Sequence, residues 1–413
     1  MAPRSPQAPP ADPHLTAGGP ADPLLTAGGR ADPHLTAGGR ADPHLAAGGR
    51  PVQAAAPPPP APRIAGLPAY RPGRSAADAR ADHGVVDAIK LASNELPWGP
   101  VPSVSDALRR QAAEVNRYPD HLARRLRMRL AAELGVPPSR VATGAGAVGL
   151  LNQLALAFVS PGDEVVRGEP SFEAYPIFTR LAGGTDVAVP NQDHRLDLDG
   201  MAAALTTRTK MVLVANPNNP TGTAVGLDAI ADLAGSLPPR ALLVVDEAYR
   251  EFVTDTSAGS ALSLAAERSN VVVLRTFSKA HGLAALRVGY AVAHPEVVEA
   301  LDKVLIPFSV GALGQVAAVA SLDAAAEVTS RVAAATAERR RLAAGVTAAG
   351  WEIPDPQANF IWLPAGAGAA SLARELERSG VVVRPFAGAG VRVTVGTPTD
   401  NDRFLAALPP AER

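Results

Sequence analysis

Three short stretches hold groups able to do chemistry: Asn216-Pro217-Asn218-Asn219-Pro220-Thr221-Gly222, Asp246-Glu247-Ala248-Tyr249 and Arg275-Thr276-Phe277-Ser278-Lys279. Each follows an apolar run, at 211–215, 242–245 and 271–274, that reads as a buried strand. In an open α/β sheet, functional groups gather at the carboxyl ends of strands. Three successive strand ends thus deliver an amide, a carboxylate with a phenol, and a primary amine to one edge. Of the 39 Lys plus Arg, only Lys90, Lys210, Lys279 and Lys303 are lysines. A guanidinium stays protonated and is no nucleophile, so a chain this rich in Arg keeps lysine chiefly where an amine is required. Taken singly, each stretch also has a plain reading: a solvated lysine, a capping aspartate, turn-forming Asn and Pro.

A fourth stretch, Thr143-Gly144-Ala145-Gly146-Ala147-Val148-Gly149, runs into an apolar helix at 150–159 and matches G-x-G-x-x-G. Asp163 and Glu164 follow about 20 residues on, as a dinucleotide fingerprint asks. Only 140–142 precede it, less than a full buried strand, so the dinucleotide reading is weak. The physical part survives: a glycine turn opening a helix offers free backbone N–H groups to a phosphate. Amine, aspartate, Asn with Tyr, and phosphate-binding turns together suit pyridoxal phosphate. The lysine forms the Schiff base, the aspartate keeps the pyridine nitrogen protonated, and the polar groups tune the ring oxygen.

Strands predicted at 164–166, 186–189, 210–215, 241–245 and 271–274 alternate with helices at 172–181 and 227–234, which implies an α/β fold with a mostly parallel sheet covered by helices. Helices at 103–114 and 122–134 flank a loop, Asn116-Arg117-Tyr118-Pro119-Asp120. Helices at 298–305, 312–320 and 324–349 precede a small α+β unit with strands at 360–363, 381–383 and 391–395 around a helix at 370–379. The expected organisation is a repeat and Pro-rich tail at 1–62, an N-terminal arm at 63–115, a large cofactor-binding domain at 116–308 and a small C-terminal domain at 309–413.

Composition excludes several classes. A net charge of −1 with dispersed basic residues argues against nucleic acid or an anionic membrane as partner. No Cys is present, which removes disulfides, thiolate metal sites and cysteine nucleophiles. No apolar run approaches the roughly 18 residues of a membrane span. Residues 11–50 are four copies of a decapeptide, from ADPHLTAGGP to ADPHLAAGGR, with too little apolar surface to repay ordering. The tail histidines His14, His34 and His44 pre-form no ligand geometry, so no metal site is expected.

Together, NPNNPTG, DEAY and TFSKAHGLAALRVG resemble the fold-type I pyridoxal-phosphate aminotransferases, in the branch of histidinol-phosphate aminotransferases and the similar actinobacterial aromatic amino acid aminotransferases. The resemblance covers 89–404. It implies that Lys279 is the Schiff-base lysine and proton shuttle, that Asp246 partners the pyridinium nitrogen, and that Asn219 and Tyr249 donate to the ring hydroxyl oxygen. Thr276, Ser278 and Arg287 resemble the phosphate-binding set, joined by backbone N–H groups around Ala145, Gly146 and Ala147. Phe172 matches the ring stacked on the cofactor. Tyr118 matches a tyrosine that reaches the other subunit's cofactor phosphate, which implies a homodimer with shared sites. On the substrate side Arg392 matches the carboxylate-binding arginine, with Arg384, Asn359, Asn94 and Tyr70 as further candidates. Ala147 and Val148 stand where the family often has a hydroxyl or acidic residue, Leu96 replaces an asparagine and Ala285 a glycine; none removes a catalytic group.

The implied activity is a cytoplasmic ping-pong transamination between phenylalanine or tyrosine and 2-oxoglutarate, with histidinol-phosphate transamination as the alternative. A decarboxylase of similar fold, an NAD oxidoreductase and a non-catalytic binding protein built on the tail are the competing classes.

Overall fold

The computed structural model describes residues 57–67 and 73–411. The decapeptide repeats with their histidines, and Tyr70, lie outside the described residues. The chain divides between Pro59 and Pro60, and the residues from Pro60 onward form one compact unit.

A two-residue strand, β1 (Ile89–Lys90), precedes the central sheet. That sheet contains β2 (Val141–Ala145), β3 (Glu164–Glu169), β4 (Thr185–Pro190), β5 (Thr209–Ala215), β6 (Leu242–Asp246), β7 (Val271–Thr276) and β8 (Val288–Val292). Their spatial order is β2-β8-β7-β6-β5-β3-β4. Every neighbouring pair is parallel except the two that involve β8, which runs antiparallel to β2 and to β7.

Side chains alternate between the faces of a strand. Val212, Val214, Leu243, Val245, Val271 and Val273 therefore pack on one face, under helices that include Leu227–Ser236 and Leu262–Glu267. Met211, Leu213, Val244, Val272 and Leu274 pack on the other, under Gly146–Phe158 and Pro295–Val304. Both faces are covered, which is why these strands read as unbroken apolar runs. Each fully buried aliphatic side chain contributes roughly 1.5–3 kcal/mol. The same alternation sorts the polar residues at the strand ends. Asp246 and Thr276 share a face with Val244 and Leu274, whereas Glu247 and Arg275 turn to the other side and form a largely buried ion pair of 2.8 Å. Ser260 hydrogen-bonds both members of that pair.

Four further strands follow, β9 (Phe360–Leu363), β10 (Val381–Val382), β11 (Arg384–Phe386) and β12 (Gly390–Thr394), in two smaller sheets. Strand β10 pairs with β1, while β11, β12 and β9 form an antiparallel trio. In its register Arg392 lies opposite both Arg384 and Trp362, and Thr394 lies opposite Phe360. Directly opposed residues share a face. One face of the trio thus carries Arg384, Arg392, Thr394 and Phe360, while Ile361, Leu363, Val391 and Val393 bury the other against Leu342, Val346, Leu372 and Leu376.

Three local expectations are corrected. Strand β8 is absent from the sequence reading, because five residues after a turn give too short a pattern. The strand expected at 381–383 ends at Val382, and the chain pairs anew at Arg384–Phe386. Strand β2 is longer than the three residues expected, since it runs through Gly144 to Ala145 and its helix opens at Gly146. The reason is close packing: Gly144 lies opposite Gly289 of β8. A methyl group on Gly289 would stand 2.5 Å from both the Ala147 nitrogen and the Gly146 carbonyl carbon. Gly289→Ala therefore displaces the turn and lowers stability by about 2 kcal/mol, in the range of overpacked cores. Gly235→Ala is the control, since nothing lies within 4 Å of that position in its helix; there the added methyl group stabilises by about 0.5–1 kcal/mol. Urea unfolding of both variants measures the contrast.

Candidate active site

Strands β2, β5, β6 and β7 all end at one edge of the central sheet, and reversal of β8 brings Arg287, the residue before it, to the same edge. A cavity of about 260 Å³ opens there. It brings together Lys279, Asp246, Tyr249, Asn219, Thr276, Ser278, Arg287, Phe172, Ala147, Asn94, Arg384 and Arg392.

Lys279 sits on a tight loop closed by Gly282 N–H donating to the Lys279 carbonyl at 2.9 Å. Its Nζ donates to the carbonyls of Ser93 at 3.3 Å and Asn94 at 3.1 Å. Burial, and then the positive charge of Arg392, push its pKa down to about 7. Asp246 ends a strand whose residues are all buried. Burial raises its carboxyl to about 6, against the opposing pull of the Tyr175 hydroxyl at 2.9 Å and the Ala248 N–H at 3.1 Å. A buried carboxylate of this kind fits a cationic N–H such as that of a protonated pyridine.

The phosphate-sized end is made of short polar groups. Thr276 Oγ1 donates to Ser278 Oγ at 3.0 Å, and Arg287 Nη1 donates to the same Ser278 Oγ at 3.2 Å and to the Ala284 carbonyl at 2.9 Å. Arg287 holds φ +54, a left-handed backbone that costs a non-glycine residue about 1 kcal/mol or more. Opposite it, the helix Gly146–Phe158 begins with no side-chain cap. Its first N–H groups therefore lack intrahelical partners. A methyl group on Gly146 would collide with the Arg287 guanidinium, so glycine there keeps the cradle open.

On the facing wall, Arg392 Nη2 donates to the Ala92 carbonyl at 2.7 Å and Nη1 to Asn219 Oδ1. That contact uses the Asn219 oxygen and leaves its NH₂ as the donor for a ligand. Asn94, with φ +54, donates from Nδ2 to the Tyr249 hydroxyl at 2.9 Å and accepts from Thr394 Oγ1 at 3.1 Å. Arg384 pairs with Glu173 at 2.7 Å. The centre of the Phe386 ring is 5.8 Å from the Arg384 guanidinium carbon and 5.7 Å from that of Arg392.

Some expected residues are not brought to the cavity. Asn359 is buried one layer behind it, donating to the Asn94 carbonyl at 3.1 Å. Tyr118 is 84% exposed and stacks on Phe308 with ring centres 4.6 Å apart. His281, held to about 4 by burial, hydrogen-bonds Ser321 at 2.8 Å and packs on Phe277, a structural place. Asp163 and Glu164, the acidic pair of the dinucleotide pattern, are held in ion pairs with Arg240 and Arg208 at the start of β3, away from the cavity. No pattern in the sequence marks Tyr175, Glu173 or the carbonyls of Ala92 and Ser93 as site groups; the first two lie close to Phe172 in the chain.

An amine and an acid at the ends of neighbouring strands, beside an anion cradle, define a site built for a phosphorylated aldehyde cofactor, and the fold and the site agree with one family. The chain belongs to the class I and II aminotransferases, matched over residues 86–408. The aromatic amino acid aminotransferase of Thermobifida fusca is 51% identical over 341 residues, 82% of this chain and 93% of the relative. That of Mycobacterium bovis is 49% identical over 346 residues, covering 83% and 96%. Among solved structures, the histidinol-phosphate aminotransferase from Sinorhizobium meliloti in complex with pyridoxal-5'-phosphate matches with a TM-score of 0.77 at 31% identity, covering 84% of this chain and 96% of that one.

Only the neutral amine attacks an aldehyde carbon, so the depressed Lys279 pKa sets how fast an aldehyde is captured. Below about 7 the amine is protonated and capture slows; above it the rate levels off. Capture of pyridoxal phosphate by the ligand-free protein should rise about tenfold from about pH 6 to about pH 8, as one titration near neutrality requires. Stopped-flow absorbance measures it, and a rate still climbing steeply above about pH 9 would contradict the depressed pKa.

Proposed function

We propose that this chain is a cytoplasmic, homodimeric pyridoxal-phosphate aminotransferase exchanging the amino group between phenylalanine or tyrosine and 2-oxoglutarate. The observation that carries the reading is the meeting of the Lys279 amine, the buried Asp246 carboxylate and the Arg392 guanidinium in one cavity. The aromatic preference draws on the relatives named above, about half identical over most of their length, and on the rings of Phe172 and Phe386 in the cavity wall. When bound, pyridoxal phosphate supplies the aldehyde carbon for amine exchange and a ring that accepts electrons.

The protein's residues do the rest. Thr276, Ser278, Arg287 and the N–H groups at the start of the helix Gly146–Phe158 hold the phosphate. Asp246 keeps a proton on the ring nitrogen, while Asn219 and Tyr249 donate to the ring hydroxyl oxygen. Arg392 takes the substrate carboxylate as a planar, bidentate donor. Lys279 Nζ carries the proton to and from the substrate α-carbon, a role that needs an amine near neutrality. The first amino acid leaves as its oxo acid before the second oxo acid enters, which gives ping-pong kinetics.

Tyr118, exposed with Phe308 and the nearby Ile306, serves the other subunit's phosphate in this reading. Residues 116–308 act as the large cofactor-binding domain and 309–413, with the 63–115 arm, as the small one. No helix among the described residues is long and apolar enough to cross a membrane.

Purified protein should show a visible cofactor band that phenylalanine bleaches. Lys279→Ala should abolish turnover, with at least about a thousandfold loss, as removal of a nucleophile commonly gives. The ratio of kcat/KM for phenylpyruvate over histidinol phosphate should favour the former; a clear preference for histidinol phosphate would replace the substrate with the alternative. Deleting residues 1–62 should leave turnover unchanged in the same assay, and a large loss would give the tail a functional role.

A further inference from the structure

Tyr175 opens the helix Tyr175–Leu181 and is 1% exposed. Its ring packs among Leu151, Leu154, Val165, Met211 and Leu213. In that apolar setting its hydroxyl meets Asp246 Oδ2 at 2.9 Å. An ionised carboxylate only accepts, so the phenol is the donor. Asp246 Oδ1 accepts the Ala248 N–H at 3.1 Å. Two donors, one per oxygen, fix the carboxylate plane and leave further acceptor capacity on each oxygen for a ligand. The Phe172 ring stands edge-on to Tyr175, centres 5.5 Å apart at 89°. The segment that places a ring in the cavity wall therefore also places a hydroxyl behind the carboxylate.

We propose that Tyr175 is a positioning residue for amine transfer: its hydroxyl locks the Asp246 carboxylate in one orientation, ionised and available to the cavity, so that a bound pyridine nitrogen stays protonated. The inference rests on the pyridoxal-phosphate reading above. The charged and titratable groups around the pair are Glu247 on the same strand end, Lys279 on the neighbouring loop, Arg167 on β3 and the Tyr249 phenol. Burial, and then the Asp246 charge, raise the Tyr175 phenol well above its ordinary value, so it remains a protonated donor. The same burial would neutralise Asp246 sooner without that donor, since the Tyr175 hydrogen bond pulls its pKa down.

The test is a double-mutant cycle on the full chain with Tyr175→Phe, Asp246→Asn and the pair, reading the pyridoxal phosphate dissociation constant by equilibrium dialysis. Tyr175→Phe should weaken binding about tenfold near pH 7.5, the usual scale of a hydrogen bond to a charged group. The weakening should grow toward about pH 6 as the carboxylate takes its proton earlier. In the Asp246→Asn background the same substitution should change binding less than about twofold, because no charge is left to hold. Tyr175→Met, a second way to remove the hydroxyl, must show the same dependence on Asp246. Equal losses in both backgrounds, or no loss in either, overturn the inference while leaving wild-type cofactor binding intact. Failure of the wild type to bind pyridoxal phosphate overturns the cofactor reading and this inference together.

Discussion

Burial of the Asp246 carboxylate at the end of a central strand is the constraint to which the rest of the site answers. A carboxylate out of water is costly unless donors or a cation meet it. Two protein donors partly offset the cost, and its pKa still stands near 6. Lys279 is under the opposite stress, its ammonium disfavoured down to about 7. The signs are opposed. A raised acid costs the fold stability above its native pKa, and that cost fades as pH falls from about 6 toward 3.8. A depressed amine costs stability below its native pKa, and that cost fades as pH rises from about 7 toward 10.5. Near neutral pH the ligand-free protein bears both. A ligand that brings a cationic ring N–H and binds the amine covalently relieves both, so part of its affinity is stored in the empty fold.

The sheet can bear this because its alternation separates chemistry from scaffolding. Asp246 and Thr276 face the cavity, while their neighbours Glu247 and Arg275 neutralise each other on the opposite side at 2.8 Å. A one-residue slip of β6 or β7 would exchange these roles, and both faces are too well packed to permit it. The reversed strand β8 completes the arrangement. It carries Arg287 to an edge otherwise made of strand ends, and its Gly289 lets the helix start at Gly146 come close enough to face that arginine.

Much of this was legible in the sequence because strand ends announce themselves. Apolar runs stopping at Asn216, Asp246 and Arg275 place the amide, the acid and the amine on one edge, and the parallel α/β sheet follows from their alternation with helices. What stayed hidden has no local signature. Strand β8 is five residues with a glycine at the second position. Tyr175 reads as one more core aromatic until the fold sets its hydroxyl against Asp246. The Ala92 and Ser93 carbonyls that meet Arg392 and Lys279 act through the backbone, which residue type does not disclose. The resemblance points to Asn359 as a substrate-side residue, yet its side chain supports Asn94 from behind.

The antiparallel trio β9, β11 and β12 has a consequence for how such a protein diversifies. Its cavity-lining side chains, Arg384, Phe386 and Arg392, fall within one stretch of chain from 384 to 392, whereas the amine, the acid and the phosphate cradle come from the central sheet and the turns at its edge. Apart from Phe172, Glu173 and Asn94, and from Arg392, which bonds Asn219 and lowers the Lys279 pKa, the wall that meets a substrate side chain can drift without disturbing the groups that move its nitrogen. Gene duplication followed by change in that single stretch gives evolution a short route to new amino-acid ranges on an unchanged catalytic base.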